Sequence, residues 1–168
     1  MQEISKTNHF PKYDTTAISE INDGIYRISG FANDFGITYN QFLIADRDPI
    51  LIHTGPIGSY HLIEDRVKEV LPLEKLAYVA FLHFESDEWG GMEFLQAIKI
   101  RLVCSDLSSK LNLTGWYNVP VNHISFWDNE TLKTGTKSPI YHDSSCSLGH
   151  HDDIRRNPKS LFTSDLFI

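Results

Sequence analysis

The sequence predicts an α/β domain, because short strands open the chain and helices then alternate with buried strands. Residues 24–30 alternate apolar and polar side chains between two glycines, as a half-buried strand does. Two more short apolar segments, residues 40–45 and 50–54, are separated by a turn at Asp46-Arg47-Asp48-Pro49. We expect these three segments to be consecutive antiparallel strands that open a sheet.

Helices and strands alternate in the middle of the chain. Apolar residues at helical spacing predict a helix over residues 62–70, which Pro72 ends. The continuous apolar run at residues 77–82 predicts a strand that is buried on both faces. A second helix near Gly91, carrying Met92, Leu95 and Ile98, and a strand at residues 100–104 are predicted to follow.

The two ends of the chain have weaker patterns. Residues 1–20 are polar and are expected to be an extended leader. Residues 137–159 are rich in Ser, His, Asp, Asn and Pro and are expected to be a loop, whereas residues 119–124 and 161–162 are candidate strands. No composition change marks a boundary, so residues 1–168 are expected to form a single domain.

Composition narrows the possible partners and the location. The chain has 22 acidic and 15 basic side chains, a net charge of −7, which argues against nucleic acid because phosphate binding needs clustered Lys and Arg. Cys104 and Cys146 lie far apart and form no disulfide framework, which favours a reducing compartment. No apolar run is long enough to span a membrane, and residues 1–10 lack a signal-peptide pattern. We therefore expect a cytoplasmic protein with no membrane partner.

The segment His83-Phe84-Glu85-Ser86-Asp87-Glu88 follows the predicted buried strand directly. Open α/β sheets place ligands at such carboxyl ends of strands. If the backbone stays extended, His83, Glu85 and Asp87 share one side of the strand, and this donor set suits iron, manganese or zinc. Gly90-Gly91 would let the backbone turn sharply into the next helix. The alternative interpretation is an acidic loop that faces water.

Four segments, in this order and spacing, resemble the metallo-β-lactamase fold superfamily: residues 24–26, 39–44, 51–55 and 83–88. Within it, the chain looks most like the flavodiiron and oxygen-binding di-iron proteins, because Glu85 stands where hydrolases usually carry the second His of His-x-His-x-Asp-His. Residues 160–167 are similar to the family's strand that ends in a bridging Asp. The resemblance implies a metallo-β-lactamase-like αββα sandwich, truncated after this strand because the family continues into a second half.

The resemblance also implies two metal positions with these ligands: His83, Glu85, Asp87, His150 and Asp165. Asp165 would bridge the two metals, and the family's final His ligand would be missing. In His150-His151-Asp152-Asp153, His150 fits the family's His-x-x-Asp context best, with His151 as the close alternative. The implied cofactors are two iron ions, alternatively zinc or manganese, and no flavin site is expected in this chain.

The implied function is a di-iron protein that binds or reduces dioxygen or nitric oxide. As an oxidoreductase it would take electrons from a separate flavoprotein or a rubredoxin-like donor. One alternative is a zinc-dependent hydrolase, against which Glu85 and Glu88 count because they stand in place of two usual histidines. The other alternative is a non-catalytic metal-binding or interaction module.

Several further residues carry expectations about packing. His53 ends a strand where many superfamily members have Asp, and we expect it to support the site or the structure rather than to bind metal. Trp89 and Cys104 are expected in the core, and His61 on the surface. The missing half is expected to leave apolar side chains partly uncovered, namely Phe42, Ile44, Leu51, Val79 or Phe81. Such a face would drive association, so a homo-oligomer is expected.

Overall fold

The structure is a computed structural model that describes residues 12–81, 86–92, 100–105, 123–126, 131–135 and 140–141. Of these, residues 86–87, 105, 123–126, 131 and 140–141 are described by their backbone alone. The elements within the described residues have these bounds: β1 Thr15–Asn22, β2 Ile25–Ala32, β3 Ile37–Ile44, β4 Ile50–Ile52, α1 Tyr60–Lys68, β5 Tyr78–Ala80, α2 Ser86–Trp89, β6 Arg101–Ser105, β7 His123–Phe126, β8 Thr131–Leu132 and β9 Ile140–Tyr141.

Strands β1 to β7 form one mixed sheet in which the spatial order follows the chain. The first four strands are an antiparallel meander, and β4 to β7 run parallel. Helix α1 makes the crossover from β4 to β5, since parallel neighbours cannot be joined by a tight turn. Strands β8 and β9 pair separately as an antiparallel ribbon. The predicted order of antiparallel strands, helix and buried strand is confirmed.

The predicted helix is present as α1, which begins and ends two residues earlier than the predicted range 62–70, so that it ends at Lys68 and not at Pro72. Tyr60, Ile63 and Val67 recur at helical spacing and are buried against the sheet. Glu64 and Lys68 form an ion pair one turn apart, and the basic residues of the last turn complement the helix dipole. The amphipathic pattern of this segment therefore specifies both the helix and the face that it buries.

Apolar side chains fill both faces of the sheet. One cluster joins α1 to the sheet and includes Leu43, Leu51, Ile63, Val79 and Leu102. The other holds the alternate residues of the same strands: Ile44, Ile50, Ile52, Tyr78, Ala80 and Val103, with Leu132 from β8. Strand β5 is therefore buried on both faces, as its continuous apolar run predicts.

The expected exposure of one sheet face is wrong. Four of the five side chains in question are at most 4% exposed: Ile44, Leu51, Val79 and Phe81. Phe42 is half-buried. The reason differs between the two faces of the sheet. Leu51, Val79 and Phe81 belong to the cluster that includes α1. Ile44 belongs to the other cluster, into which Leu132 packs, and the Thr134 carbonyl accepts a 2.8 Å hydrogen bond from the Asp48 amide.

The leader prediction is wrong for residues 15–20, which belong to strand β1. Ile18 pairs with Ile28 of β2, whereas most other β1 side chains are exposed, because β1 lies at the end of the strand order. The polar composition of this segment thus reflects an edge strand rather than a leader. Residues 1–11 lie outside the described residues.

Only some of the elements predicted for the C-terminal part of the chain fall on described residues. Strand β7 overlaps the strand predicted at residues 119–124, and β9 interrupts the loop predicted at 137–159 because Ile140 and Tyr141 pair with β8. Strand β8 has no counterpart among the predictions. The candidate strand at 161–162 lies outside the described residues, and the single domain stays a prediction. None of the helices in the described ranges is long and apolar enough to cross a bilayer.

Candidate metal centre

The sequence-predicted ligands fall mostly outside the part of the chain that the structure describes. This holds for His83, Glu85, His150 and Asp165. Asp87 lies in α2, one residue before Glu88, and only its backbone is described. The expectation that the backbone stays extended through Asp87 is wrong, because residues 86–89 are helical. The two-residue alternation of a strand therefore ends before Asp87.

The carboxyl ends of β4 and β5 lie side by side next to α2. Ile52 pairs in parallel register with Ala80, and the His53 amide donates a 2.8 Å hydrogen bond to the Ala80 carbonyl. Phe81, directly after β5, is buried. Helix α2 thus follows the end of a central strand, which is where the sequence predicts ligands.

Thr54 ties the end of β4 to α2 through both its backbone and its side chain. The Thr54 amide and the Thr54 hydroxyl each donate a 2.7 Å hydrogen bond to the Glu88 carbonyl. The same hydroxyl accepts a 2.9 Å hydrogen bond from the Gly91 amide. Thr54 is fully buried. These three bonds fix the C-terminal part of the short helical turn, and the residues directly after it, against the sheet.

His53 and Glu88 form a buried imidazole–carboxylate pair beside these hydrogen bonds. Nδ1 of His53 lies 3.0 Å from Oε1 of Glu88, and the two side chains are 11% and 9% exposed. His53 has a φ of 63°, and among the described residues it is the one non-glycine residue with positive φ. A non-glycine residue in this region is strained, and such strain persists where the surroundings hold it.

Aromatic packing closes the inner side of α2. The Trp89 ring stacks on Phe81 at 4.1 Å between centroids with an interplanar angle of 17°, and His53 lies 6.4 Å from Phe81. Trp89 is 3% exposed, which confirms its predicted place in the core. Cys104 is buried and His61 is exposed, as predicted.

Gly90 and Gly91 form a turn directly after α2, as predicted, and they also allow close packing. Neither has a positive φ. A Cβ on Gly90 would lie 1.9 Å from the Ile57 amide nitrogen, and one on Gly91 would lie 2.1 Å from the Tyr60 ring. The turn therefore uses no left-handed conformation, and glycine is required at these positions by the lack of space for a side chain.

Sequence reasoning missed the pairing of His53 with Glu88. Each residue departs separately from the superfamily pattern: His53 stands in place of Asp, and Glu88 stands in place of His. Together the two departures exchange the places of an acid and an imidazole. That complementary exchange is the signal that could have revealed the contact.

Metal binding fits the chemistry of the segment that precedes and enters α2. One imidazole and two carboxylates, from His83, Glu85 and Asp87, are suitable donors for iron, manganese or zinc. Asp87 lies in α2, the element that follows β5 in the chain. Within the described ranges, no group of three or more His, Cys, Asp or Glu side chains is placed to hold a metal ion.

Comparison with known sequences does not assign the chain to a family. No protein-family profile matches the chain. An uncharacterized protein of Methanocaldococcus jannaschii, MJ0732, is 24% identical over 73% of this chain and 33% of its own length. The chain thus spans about a third of that curated relative.

Comparison with solved structures identifies the fold. Rubredoxin:oxygen oxidoreductase from Desulfovibrio gigas matches with a TM-score of 0.65 at 20% identity, over 71% of this chain and 33% of that one. The flavodiiron protein from Giardia intestinalis matches at 0.62 and 21%, over 72% and 32%. MEM-A1, a subclass B3 metallo-β-lactamase from a soil metagenome, matches at 0.63 and 22%, over 73% and 50%. The chain therefore has the metallo-β-lactamase fold, which it shares with flavodiiron proteins as well as with a β-lactamase.

Proposed function

We propose that the chain is a di-iron protein of the flavodiiron type that binds or reduces dioxygen or nitric oxide. The observation that carries this proposal is the His-x-Glu-x-Asp segment entering α2 at the carboxyl edge of the sheet. A carboxylate in place of the second His gives a harder donor set, which favours iron over zinc. Fold likeness to two proteins named for iron or oxygen chemistry supports the same choice.

The proposed ligands remain those of the sequence: His83, Glu85, Asp87, His150 and Asp165. When bound, iron would supply redox chemistry and open coordination positions for a diatomic gas. The chain itself contributes a rigid support, since Thr54 and His53 hold α2 to the sheet. The Phe81–Trp89 stack excludes water from the inner side of that turn.

Turnover would require electrons from a partner. We propose a separate flavoprotein or a rubredoxin-like protein as the electron donor. The name of the Desulfovibrio gigas protein, which couples rubredoxin to oxygen, supports that choice. A cytoplasmic location belongs to the same proposal.

A zinc-dependent hydrolase is the second candidate, supported by the likeness to MEM-A1. Zinc, if bound, would supply the Lewis acidity that activates water for hydrolysis of an ester, a thioester or a phosphodiester. A metal-binding module without catalysis is the third. The metal that the purified chain holds distinguishes the di-iron protein from the zinc hydrolase. Reaction of the metal-loaded chain with dioxygen distinguishes the di-iron protein from the module without catalysis.

The test is metal content after anaerobic purification and loading with ferrous iron. We expect about two irons in the wild type, and loss of tight binding in His83→Ala and Asp165→Ala, because no neighbour replaces either ligand. His61→Ala is the matched control, since His61 is exposed on α1. His150→Ala should lower iron content more than His151→Ala, because His150 alone has the His-x-x-Asp spacing.

Three outcomes count against parts of this proposal. Normal iron content in His83→Ala or Asp165→Ala excludes the ligand set. Zinc retention with esterase activity favours the hydrolase. A larger effect of His151→Ala than of His150→Ala means that the ligand is His151.

A further inference from the structure

We propose that Glu88 is a positioning residue, held by His53, and that it is not a metal ligand although it directly follows Asp87. This inference rests on the proposed metal site. Of the carboxylates in residues 83–88, Glu88 is the one that does not coordinate the metal. It assigns Glu88 and His53 the role of fixing the turn from which Asp87 extends.

First, the carboxylate of Glu88 contacts the imidazole of His53. Its Oε1 lies 3.0 Å from Nδ1 of His53, on β4's carboxyl end, and both side chains are about nine-tenths buried. A carboxylate oxygen at this distance accepts a hydrogen bond from a protonated ring nitrogen. Breaking such a buried contact from one side leaves the other group without its partner, which is strongly unfavourable.

The second support is that the backbone of Glu88 is fixed at the same place. Its carbonyl accepts hydrogen bonds from the amide and the hydroxyl of Thr54, at 2.7 Å each. Side chain and backbone of one residue are thus both tied to β4, which lies between β3 and β5 in the sheet. Because Asp87 is bonded directly to Glu88, this attachment constrains where Asp87 can lie.

The third support is the conformation of His53. Its φ is 63°. Its neighbour Ile52 pairs with Ala80 in the sheet, and its other neighbour, Thr54, is hydrogen-bonded to the Glu88 carbonyl. A non-glycine residue is held in this region only where contacts compensate for the strain. The imidazole contact with Glu88 is one such contact, so it helps to hold His53 in this conformation.

The test measures metal affinity in a double-mutant cycle. The wild type, Glu88→Ala, His53→Ala and the double variant are titrated with Co²⁺ alone, whose visible spectrum reports the coordination sphere. Glu88→Gln is the conservative variant, because its amide oxygen can still accept a hydrogen bond from His53. Glu69→Ala, an exposed carboxylate just after α1, is the control.

We expect each alanine variant to bind Co²⁺ roughly 10–100-fold more weakly with unchanged stoichiometry, as for residues that orient metal ligands. The double variant should be no weaker than either single variant, since both act through one contact. Glu88→Gln should keep the wild-type spectrum. The proposal is overturned if Glu88→Gln changes the spectrum and loses as much affinity as Glu88→Ala while His53→Ala binds normally, because Glu88 would then be a ligand.

Hydrogen exchange of the metal-free chain gives a readout that does not depend on metal. Amides of residues 86–92 should exchange faster in Glu88→Ala and in His53→Ala, with amides of α1 unchanged as an internal control. Unchanged exchange in residues 86–92 would contradict the positioning role. If the wild type binds no Co²⁺, the proposed function fails, and the exchange data alone then decide the role of the pair.

Discussion

At the scale of single residues, two positions next to α2 depend on space and on burial. Gly90 lies against the backbone of Pro56 and Ile57, and Tyr60 is 2% exposed at the start of α1. Neither role follows from the residue type alone. Glycine is usually explained by backbone freedom and tyrosine by its polar hydroxyl. Here the relevant property of Gly90 is the close approach of another part of the backbone, and that of Tyr60 is the desolvation of its side chain.

Gly90→Ala should destabilise the fold, because the added Cβ would lie 1.9 Å from the Ile57 nitrogen and 2.3 Å from the Pro56 carbonyl carbon. Backbone atoms cannot rotate away as a flexible side chain can, so we expect a loss of at least about 1–3 kcal/mol in the free energy of unfolding. Urea denaturation measures it. Gly58→Ala is the matched control, since nothing lies within 4 Å of a Cβ there, and it should change stability by less than about 0.5 kcal/mol. Equal effects of the two variants would contradict this packing.

The stability of the chain should fall at alkaline pH partly through Tyr60. Burial raises the pKa of the Tyr60 phenol above its usual value, and the nearby Glu64 carboxylate raises that pKa further. The unfolded chain loses this proton near pH 10 while the folded chain keeps it, so the contribution is present below about pH 10 and is lost as the pH rises above it. In urea titrations at several pH values, the wild type should lose stability above about pH 10 more steeply than Tyr60→Phe. Parallel pH profiles would exclude the effect.

At the scale of elements, the contact of β4 with α2 depends on few atoms. Thr54 donates to the Glu88 carbonyl and accepts from the Gly91 amide across 34 and 37 residues of sequence. A four-residue helix makes too few internal hydrogen bonds to be stable alone, so these tertiary bonds hold it. The helical turn at 86–89 is therefore a property of its attachment to the sheet.

Thr54→Val tests this attachment, because valine keeps the shape of threonine and removes only the hydroxyl. The Gly91 amide then lacks its acceptor in a buried position, which should lower the free energy of unfolding by about 1–3 kcal/mol. Thr15→Val, at an exposed position of β1, should stay within about 0.5 kcal/mol of the wild type. Faster hydrogen exchange in 86–92 should accompany the loss in Thr54→Val. A neutral effect there would show that α2 is held by other contacts.

At the scale of the whole molecule, the central strands β4 and β5 are buried on both faces, so each stabilises two clusters at once. Within the described part of the chain, four of the five apolar side chains expected to be uncovered are buried, and the homo-oligomer stays a prediction that the mass in solution will test. Among the described residues, the large apolar side chains that are exposed include Ile21, Phe31, Phe35 and Ile37, all in or beside β1 to β3.

Leu102→Ala should reveal how much of the stability depends on this core. Leu102 is fully buried in β6, so the variant loses buried apolar surface and leaves a cavity, which costs about 2–5 kcal/mol. That is a large share of the roughly 5–15 kcal/mol by which domains are usually stable. Ile21→Ala, at 48% exposure, is the control and should stay within about 0.5 kcal/mol of the wild type in the same urea titration. A cost for Leu102→Ala no larger than that of the control would mean that β6 is not part of the cooperative core.

Local patterns in the sequence determined the elements whose stability depends on one buried face. The spacing of Tyr60, Ile63 and Val67 specifies α1, and the apolar run of β5 specifies a strand with two buried faces. The 83–88 segment also stands out by its donor residues, because metal chemistry restricts residue types whatever the fold. These features need only neighbouring residues to be recognised.

Tertiary structure decided the features that depend on distant residues. Strand β1 exists because β2 pairs with it. Thr54 holds α2 through Glu88 and Gly91, and His53 meets Glu88 because β4 and β5 are parallel neighbours. No local pattern specifies these contacts, since each joins segments that approach only when the sheet forms. The sequence therefore identifies the candidate donors, whereas the sheet decides that Glu88 is bound by His53.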